Sequence, residues 1–187
     1  MKKIIFLFTC LLLTNYGFSQ TKQIDFAINR QGVCYDSLTS KDYIVIEKNG
    51  PQKELYDKML NAVHLSFNSP TNVLSTIPEQ RITLTYSIPF NIKVPGGLGA
   101  VWEGNLLMHL SFAFKDNKIQ IKSYIVSMHG DSFFQNTRKG HGIFPVWDKN
   151  DNIVNYKKYM RIKNEINNSI SSILATFLKT ENTENNW

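Results

Sequence analysis

The chain has 187 residues and a formal net charge of +6, with 42% hydrophobic and 19% charged residues. These values exclude a disordered polar chain, a collagen-like repeat and a bundle of membrane helices. Two cysteines are too few for a disulfide scaffold. A chain of this length can bury one hydrophobic core without such crosslinks.

Residues 1–20 have the layout of a secretory signal peptide. The basic start Lys2-Lys3 precedes an apolar run of about ten residues, Ile4–Leu13, and a small-residue exit. A membrane-spanning helix needs roughly 20 apolar residues. We therefore expect cleavage near residue 19 or 20, export to the periplasm or the extracellular space, and no integral membrane span in the mature chain.

Removal of the signal peptide lowers the net charge to +4, because two Lys and no acidic residue leave with it. The remaining Lys and Arg are spread along the chain rather than clustered, so we expect no nucleic-acid partner. Cys10 also leaves with the signal peptide. Cys34 then remains alone, and we expect it to be a buried, inert thiol.

The mature chain is predicted to hold one α+β domain over residues 42–180. An N-terminal segment, 21–41, precedes it and a polar tail, 181–187, follows it. Alternating apolar residues in Ile24–Ile28 favour a short strand in the N-terminal segment. Gln31–Ser40 is predicted to be a loop.

The first half of the domain shows a strand and then a helix. Asp42–Lys48 is rich in β-branched residues and is predicted to be a strand. Pro51–Asn68 has helical spacing, because its apolar residues recur every three or four positions. A short strand is predicted within Val73–Ile77. The helix face expected to be buried consists of Leu55, Met59, Ala62 and Val63.

Three longer strands are predicted next. Arg81–Val94 alternates strictly between apolar and polar residues, which is typical of an antiparallel strand with one solvated face. Pro89 interrupts the polar set and indicates a bulge or a sheet edge. Asn105–Lys115 and Lys118–Met128 are predicted to form a hairpin, because two turn-forming residues separate them.

Residues 129–152 are predicted to form a long irregular loop that precedes a long helix over Val154–Lys179. The apolar stripe of this helix consists of Tyr159, Ile162, Ile166, Ile170, Ile173 and Phe177. The element order, strand, helix, four strands, helix, favours an α+β fold in which the long helix packs across one face of an antiparallel sheet. We expect the other face to be polar or partly covered by the loop.

Short motifs in residues 43–128 resemble a bacterial domain-of-unknown-function family with a TATA-binding-protein-like fold. The segments are YIVIEKNGPQKELYDKMLNAVHLSFNSPTNVLS, RITLTYSIPF and LSFAFKDNKIQIKSY. Within them the resemblance lies in Glu54-Leu55-Tyr56, in Ser69-Pro70 with Val73, and in the turn Lys115-Asp116-Asn117-Lys118. The resemblance implies this fold and an exported protein. It implies no catalytic residue.

The loop at 129–152 holds the candidate contact residues. Aromatic side chains in a long loop can form a binding surface or can cap the core. The candidates are Phe133, Phe134, Phe144 and Trp147. Both interpretations remain open at this point.

The same loop holds weak candidates for a metal site, His129, Asp131 and His141, since imidazole and carboxylate groups are zinc ligands. Their spacing matches no known metal motif, and no cofactor is predicted. The sequence favours an exported, non-catalytic binding or interaction module of the cell envelope. The expected partner is an envelope protein or a small apolar ligand. The alternative is a metal-binding protein or a hydrolase that uses this loop.

Overall fold

The computed structural model describes residues 24–93, 101–130, 146–147 and 150–184. The strands and helices in these ranges lie in the following order: β1 (Phe26–Ile28), β2 (Cys34–Asp36), β3 (Ile44–Glu47), α1 (Gln52–Ser66), a 3₁₀ turn (Pro70–Asn72), β4 (Leu74–Ile77), β5 (Arg81–Lys93), β6 (Val101–Lys115), β7 (Lys118–Gly130) and α2 (Tyr156–Glu184). The predicted order of strand, helix, four strands and helix is confirmed, with two short strands in front of it.

Five strands form one antiparallel sheet in the order β3-β7-β6-β5-β4. Successive side chains of a strand point to opposite faces, and the predicted alternation in β5 matches burial on one face. The buried hydrophobic side chains of the three long strands are Ile82, Leu84, Tyr86, Ile88, Phe90, Leu106, Met108, Leu110, Phe112, Phe114, Ile119, Ile121 and Ile125. The α+β class with an antiparallel sheet is therefore confirmed.

Both helices cover this apolar face. The predicted stripes of α1 and α2 are buried and join the sheet in one hydrophobic core. Helix α2 runs to Glu184, so it extends past the predicted end at Lys179 and into the polar tail. No Gly or Pro interrupts Thr180–Glu184, so nothing in the sequence stops the helix there. None of the helices in the described ranges is both long and apolar enough to cross a bilayer.

The predicted loop at Gln31–Ser40 is wrong in part, because it contains β2, which pairs with β1 in a hairpin. The turn between them is held by Asn29, whose Oδ1 accepts hydrogen bonds from the backbone N–H groups of Gln31 (3.0 Å) and Val33 (2.9 Å). Gly32 adopts a φ of 82°, which favours glycine. Strand β2 has only three residues, too few for a periodic pattern.

Side chains of α2 hold this hairpin in place. Asn167 bonds both backbone groups of Phe26: its Oδ1 accepts from the N–H at 2.8 Å and its Nδ2 donates to the C=O at 3.0 Å. The backbone N–H of Ile28 donates to the Tyr159 hydroxyl at 3.3 Å. Phe26 and Ile28 belong to the common core. The described part of the N-terminal segment therefore packs as part of the same core as residues 42–180.

The predicted turn at Asp116-Asn117 joins β6 and β7, with Asn117 at a φ of 61°. This turn also holds the start of α1. Asp116 Oδ1 accepts a hydrogen bond from the Gln52 N–H at 2.8 Å, and Asn117 Oδ1 accepts one from the Gly50 N–H at 3.0 Å. Asp116 thus bonds one of the helix N–H groups that have no partner within the helix.

Two local irregularities lie in the long strands, one in β5 and one in β7. Pro89 pairs in register with Asn105, beyond the last residue of β5 that β4 covers, so the edge position predicted for it is confirmed. Val126 is an extra residue between two paired positions of β7, which makes a β-bulge. Because of this extra residue, Met128 pairs with Leu106 in the register.

Candidate functional site

The sheet face turned away from the helices carries the polar positions of the alternating strands. Register places them in rows across β5, β6 and β7: Arg81 with Ala113 and Gln120, Thr83 with Ser111 and Lys122, and Thr85 with His109 and Tyr124. We call this surface the open face. The expectation that it is polar holds for these rows.

A depression lies in the middle of the open face, with a volume of about 510 Å³. It arises because the central strand β6 carries small side chains, Ser111 and Ala113, between strands that carry longer ones. Its described lining consists of Val33, Asp42, Arg81, His109, Ser111, Ala113, Gln120, Lys122, Ser123 and Tyr124. Ligand pockets of proteins fall in this range of volume.

Two permanent cations and one carboxylate belong to this lining. Lys122 Nζ lies 3.0 Å from Asp42 Oδ2, and about half of each side chain is exposed. The same ammonium lies 5.6 Å from the centroid of the Tyr43 ring. Exposed ion pairs of this kind contribute at most about 1 kcal/mol. Arg81 is exposed on the other side of the small residues. Together, Arg81, Lys122 and Asp42 give the lining a formal charge of +1.

The third row adds an aromatic pair. The rings of His109 and Tyr124 stack at a centroid distance of 4.6 Å and an interplanar angle of 27°. His109 Nδ1 lies 3.3 Å from Thr85 Oγ1, within hydrogen-bond distance. These contacts fix the orientation of the imidazole, and the pair forms one wall of the depression.

Cys34 lies beneath this surface and is fully buried, as the sequence predicts. Burial raises the pKa of its thiol to about 12, because a thiolate is poorly stabilised away from water. The thiolate is the nucleophilic form of cysteine. Cys34 is therefore a poor nucleophile at neutral pH.

The predicted aromatic contact residues are only partly within the structure. Phe133, Phe134 and Phe144 lie outside the described residues. Trp147 is 9% exposed, and its ring packs edge-on against Tyr159 at 5.9 Å. This position supports core capping as the role of Trp147.

The predicted metal ligands are not brought together within the described ranges. Asp131 and His141 lie outside them, and for His129 only the backbone is described, paired with Asn105 at the end of β7. Across the described ranges, no group of three or more His, Cys, Asp or Glu residues could hold a metal ion. The metal site stays a prediction.

Sequence reasoning missed the residues of the depression. The alternating pattern predicts a polar sheet face but marks none of Arg81, Ser111, Lys122 and Tyr124 as a site residue. A signal was present, because two adjacent outward positions of one strand, Ser111 and Ala113, are small while the flanking strands carry long side chains. This signal becomes visible only once the register of three strands is known.

No protein-family model and no curated protein matches the sequence. The chain is similar in structure to a DUF4468 family protein from Bacteroides ovatus, with a TM-score of 0.45 and 11% identity over 72% of this chain and 84% of the other. It is also similar to a TBP-like protein from Parabacteroides distasonis, with a TM-score of 0.47 and 11% identity over 73% of this chain and 88% of the other.

The structural neighbours are thus a DUF4468 family protein and a TBP-like protein, the kinds of protein that the sequence resembles. Within the described residues, the strands and helices form an α+β domain in which both helices cover one face of the sheet and no helix covers the other.

Proposed function

We propose that this protein is an exported, non-catalytic binding module of the cell envelope that binds its ligand on the open face of its sheet. The signal-like residues 1–20 support export and cleavage near residue 19 or 20. The periplasm or the extracellular space follows as the compartment.

The depression on the open face is the observation that carries the binding role. Its size fits a small molecule, and its lining combines hydrogen-bonding side chains with the His109–Tyr124 pair. A concave surface on which polar side chains converge is a usual feature of a ligand site. The site favours ligand binding over nucleophilic catalysis by Cys34, because this thiol is buried and its pKa is raised to about 12.

A titration of the mature protein with a small-molecule extract of cell envelopes tests this proposal. In ¹H–¹⁵N NMR spectra we expect saturable shifts at the amides of β5, β6 and β7 around Ser111. The variant Ser111→Arg places a long side chain in the depression and is expected to abolish the shifts. Ser171→Arg, on the exposed side of α2, is the matched control and is expected to keep them.

Two outcomes contradict the proposal. Shifts confined to the helices would place binding elsewhere, and equal binding by wild type and Ser111→Arg would separate binding from the depression. Well-dispersed spectra of both variants establish that each remains folded.

A further inference from the structure

We infer that the depression on the open face selects a small molecule that carries an anionic group, a carboxylate or a phosphate. This inference rests on the binding role proposed above and adds the chemical class of the ligand. It differs from the sequence-based expectation of a small apolar ligand.

The donor groups around the depression far outnumber its charged acceptors. Arg81, Lys122, Ser111 and Gln120 all line it and all carry N–H or O–H donors. Among the described lining residues, Asp42 is the one carboxylate. An incoming anion would therefore meet several donors and one like charge.

The two cations flank the small residues of the central strand. Arg81 lies on β5 and Lys122 on β7, one row apart, with β6 between them. The spacing of strands and residues puts their Cα atoms about 12 Å apart. Ser111 and Ala113 leave open space between the two side chains. An anionic group in this space can be bonded by the planar guanidinium from one side and by the ammonium from the other.

In the free protein, the Asp42 carboxylate is paired with the Lys122 ammonium, with Oδ2 and Nζ 3.0 Å apart. This pair is half exposed and therefore weak, so a ligand anion can replace Asp42 as the partner of Lys122. Asp42 then acts as a competitor of the ligand. The consequence is specific: removal of the Asp42 charge is expected to strengthen binding of an anion, whereas a merely structural ion pair predicts no gain.

The experiment compares small aromatic ligands that differ in the charge of their polar group. Mature ¹⁵N-labelled protein is titrated at low salt with benzoate, with neutral benzamide and with phenyl phosphate. We expect saturable shifts at Ser111, Gln120 and Lys122 with the two anions and none with benzamide. The tighter of the two anions identifies carboxylate or phosphate as the preferred group.

Variants test the named residues. Arg81→Gln is expected to weaken anion binding by about tenfold, the usual loss for a charged hydrogen bond. Asp42→Asn is expected to strengthen it by about threefold or more. Lys118→Gln is the matched control, because Lys118 lies on the same strand and face, is also paired with a carboxylate, Glu47 at 3.7 Å, and lies outside the lining. It is expected to leave binding unchanged.

Several results overturn the inference. These are equal binding of benzamide and benzoate, weaker binding after Asp42→Asn, an equal loss with Lys118→Gln and Arg81→Gln, or no shift with either anion. If the anions fail while the envelope extract still shifts the amides around Ser111, the binding role stands and only the ligand class is wrong. If the extract also fails there, the binding role falls as well.

Discussion

Replacement of Asn167 by Ala removes the side chain that joins the N-terminal hairpin to α2. Asn167 donates one hydrogen bond to the Phe26 C=O and accepts one from the Phe26 N–H, at 3.0 and 2.8 Å. Phe26 is fully buried. The substitution therefore leaves a backbone donor and a backbone acceptor without these partners in a half-buried place.

The expected loss follows from two hydrogen bonds. Each contributes about 1 kcal/mol net, and an unsatisfied buried group costs about 1–3 kcal/mol. We expect Asn167→Ala to lower the free energy of unfolding by about 2–3 kcal/mol. For a domain of this size, this corresponds to a fall in Tm of about 4–12 °C.

Asn168→Ala is the matched control. Asn168 is the next residue of α2, is exposed, and gains the same helix propensity on replacement by Ala. Urea unfolding of wild type and both variants gives the difference between the two substitutions. A difference below about 0.5 kcal/mol would refute the claim that Asn167 anchors the hairpin and that the hairpin is an integral part of the domain.

Three further results are expected. Cys34 should resist alkylation at pH 8 in the native protein and react in denaturant. Because its folded pKa of about 12 lies above the unfolded value of 9.0, the free energy of unfolding should fall between these pH values, by up to about 1.4 kcal/mol per pH unit, and less steeply in Cys34→Ala. A reactive native thiol or an equal slope in Cys34→Ala would contradict this. Asp116→Ala should lower the free energy of unfolding in urea by about 1 kcal/mol, since the Gln52 N–H loses its acceptor. An unchanged urea midpoint would show that this hydrogen bond does not stabilise the fold. Trp147→Ala should lower the free energy of unfolding by about 3–5 kcal/mol, because the ring packs on Tyr159 in the core. Ligand binding at the open face should be unchanged. Lost binding by the folded variant would instead support a role of Trp147 in ligand contact.

Long periodic segments made most of the fold predictable. The alternation that starts at Arg81 and the apolar stripe around Ile166 each extend over many residues, so one misread position does not change the interpretation. Strand β2 was missed because its position depends on distant partners. The Ile125 N–H donates to Gly32 C=O at 2.8 Å, and Val33 bridges Tyr124, so β7 helps to order a segment without its own pattern.

The bulge at Val126 is a second feature that the sequence does not predict. No residue type there indicates an extra position, yet it shifts the register of everything that follows in β7. The end of α2 is a third feature that the sequence does not predict. A polar segment without Gly or Pro can extend a helix whose earlier turns are stabilised by packing in the core.

The candidate site was harder to predict than the fold. The alternating pattern predicts a polar face but does not say which polar residues become neighbours. Arg81 and Lys122 are 41 positions apart in sequence, and they share a depression only because β5, β6 and β7 pair in one register. Sequence motifs link residues that are close in the chain, such as those of the loop at 129–152, and not residues on separate strands.

Lysine reactivity tests the central claim, binding on the open face, most directly. Lys122 and Lys118 both lie on β7, face the same side and pair with carboxylates, but only Lys122 lines the depression. Mature protein is acetylated with and without the envelope extract, and each site is quantified by mass spectrometry. The account predicts that the extract slows modification of Lys122 and leaves Lys118 unchanged. Equal protection of both lysines, or protection of neither while the extract is bound, would contradict it.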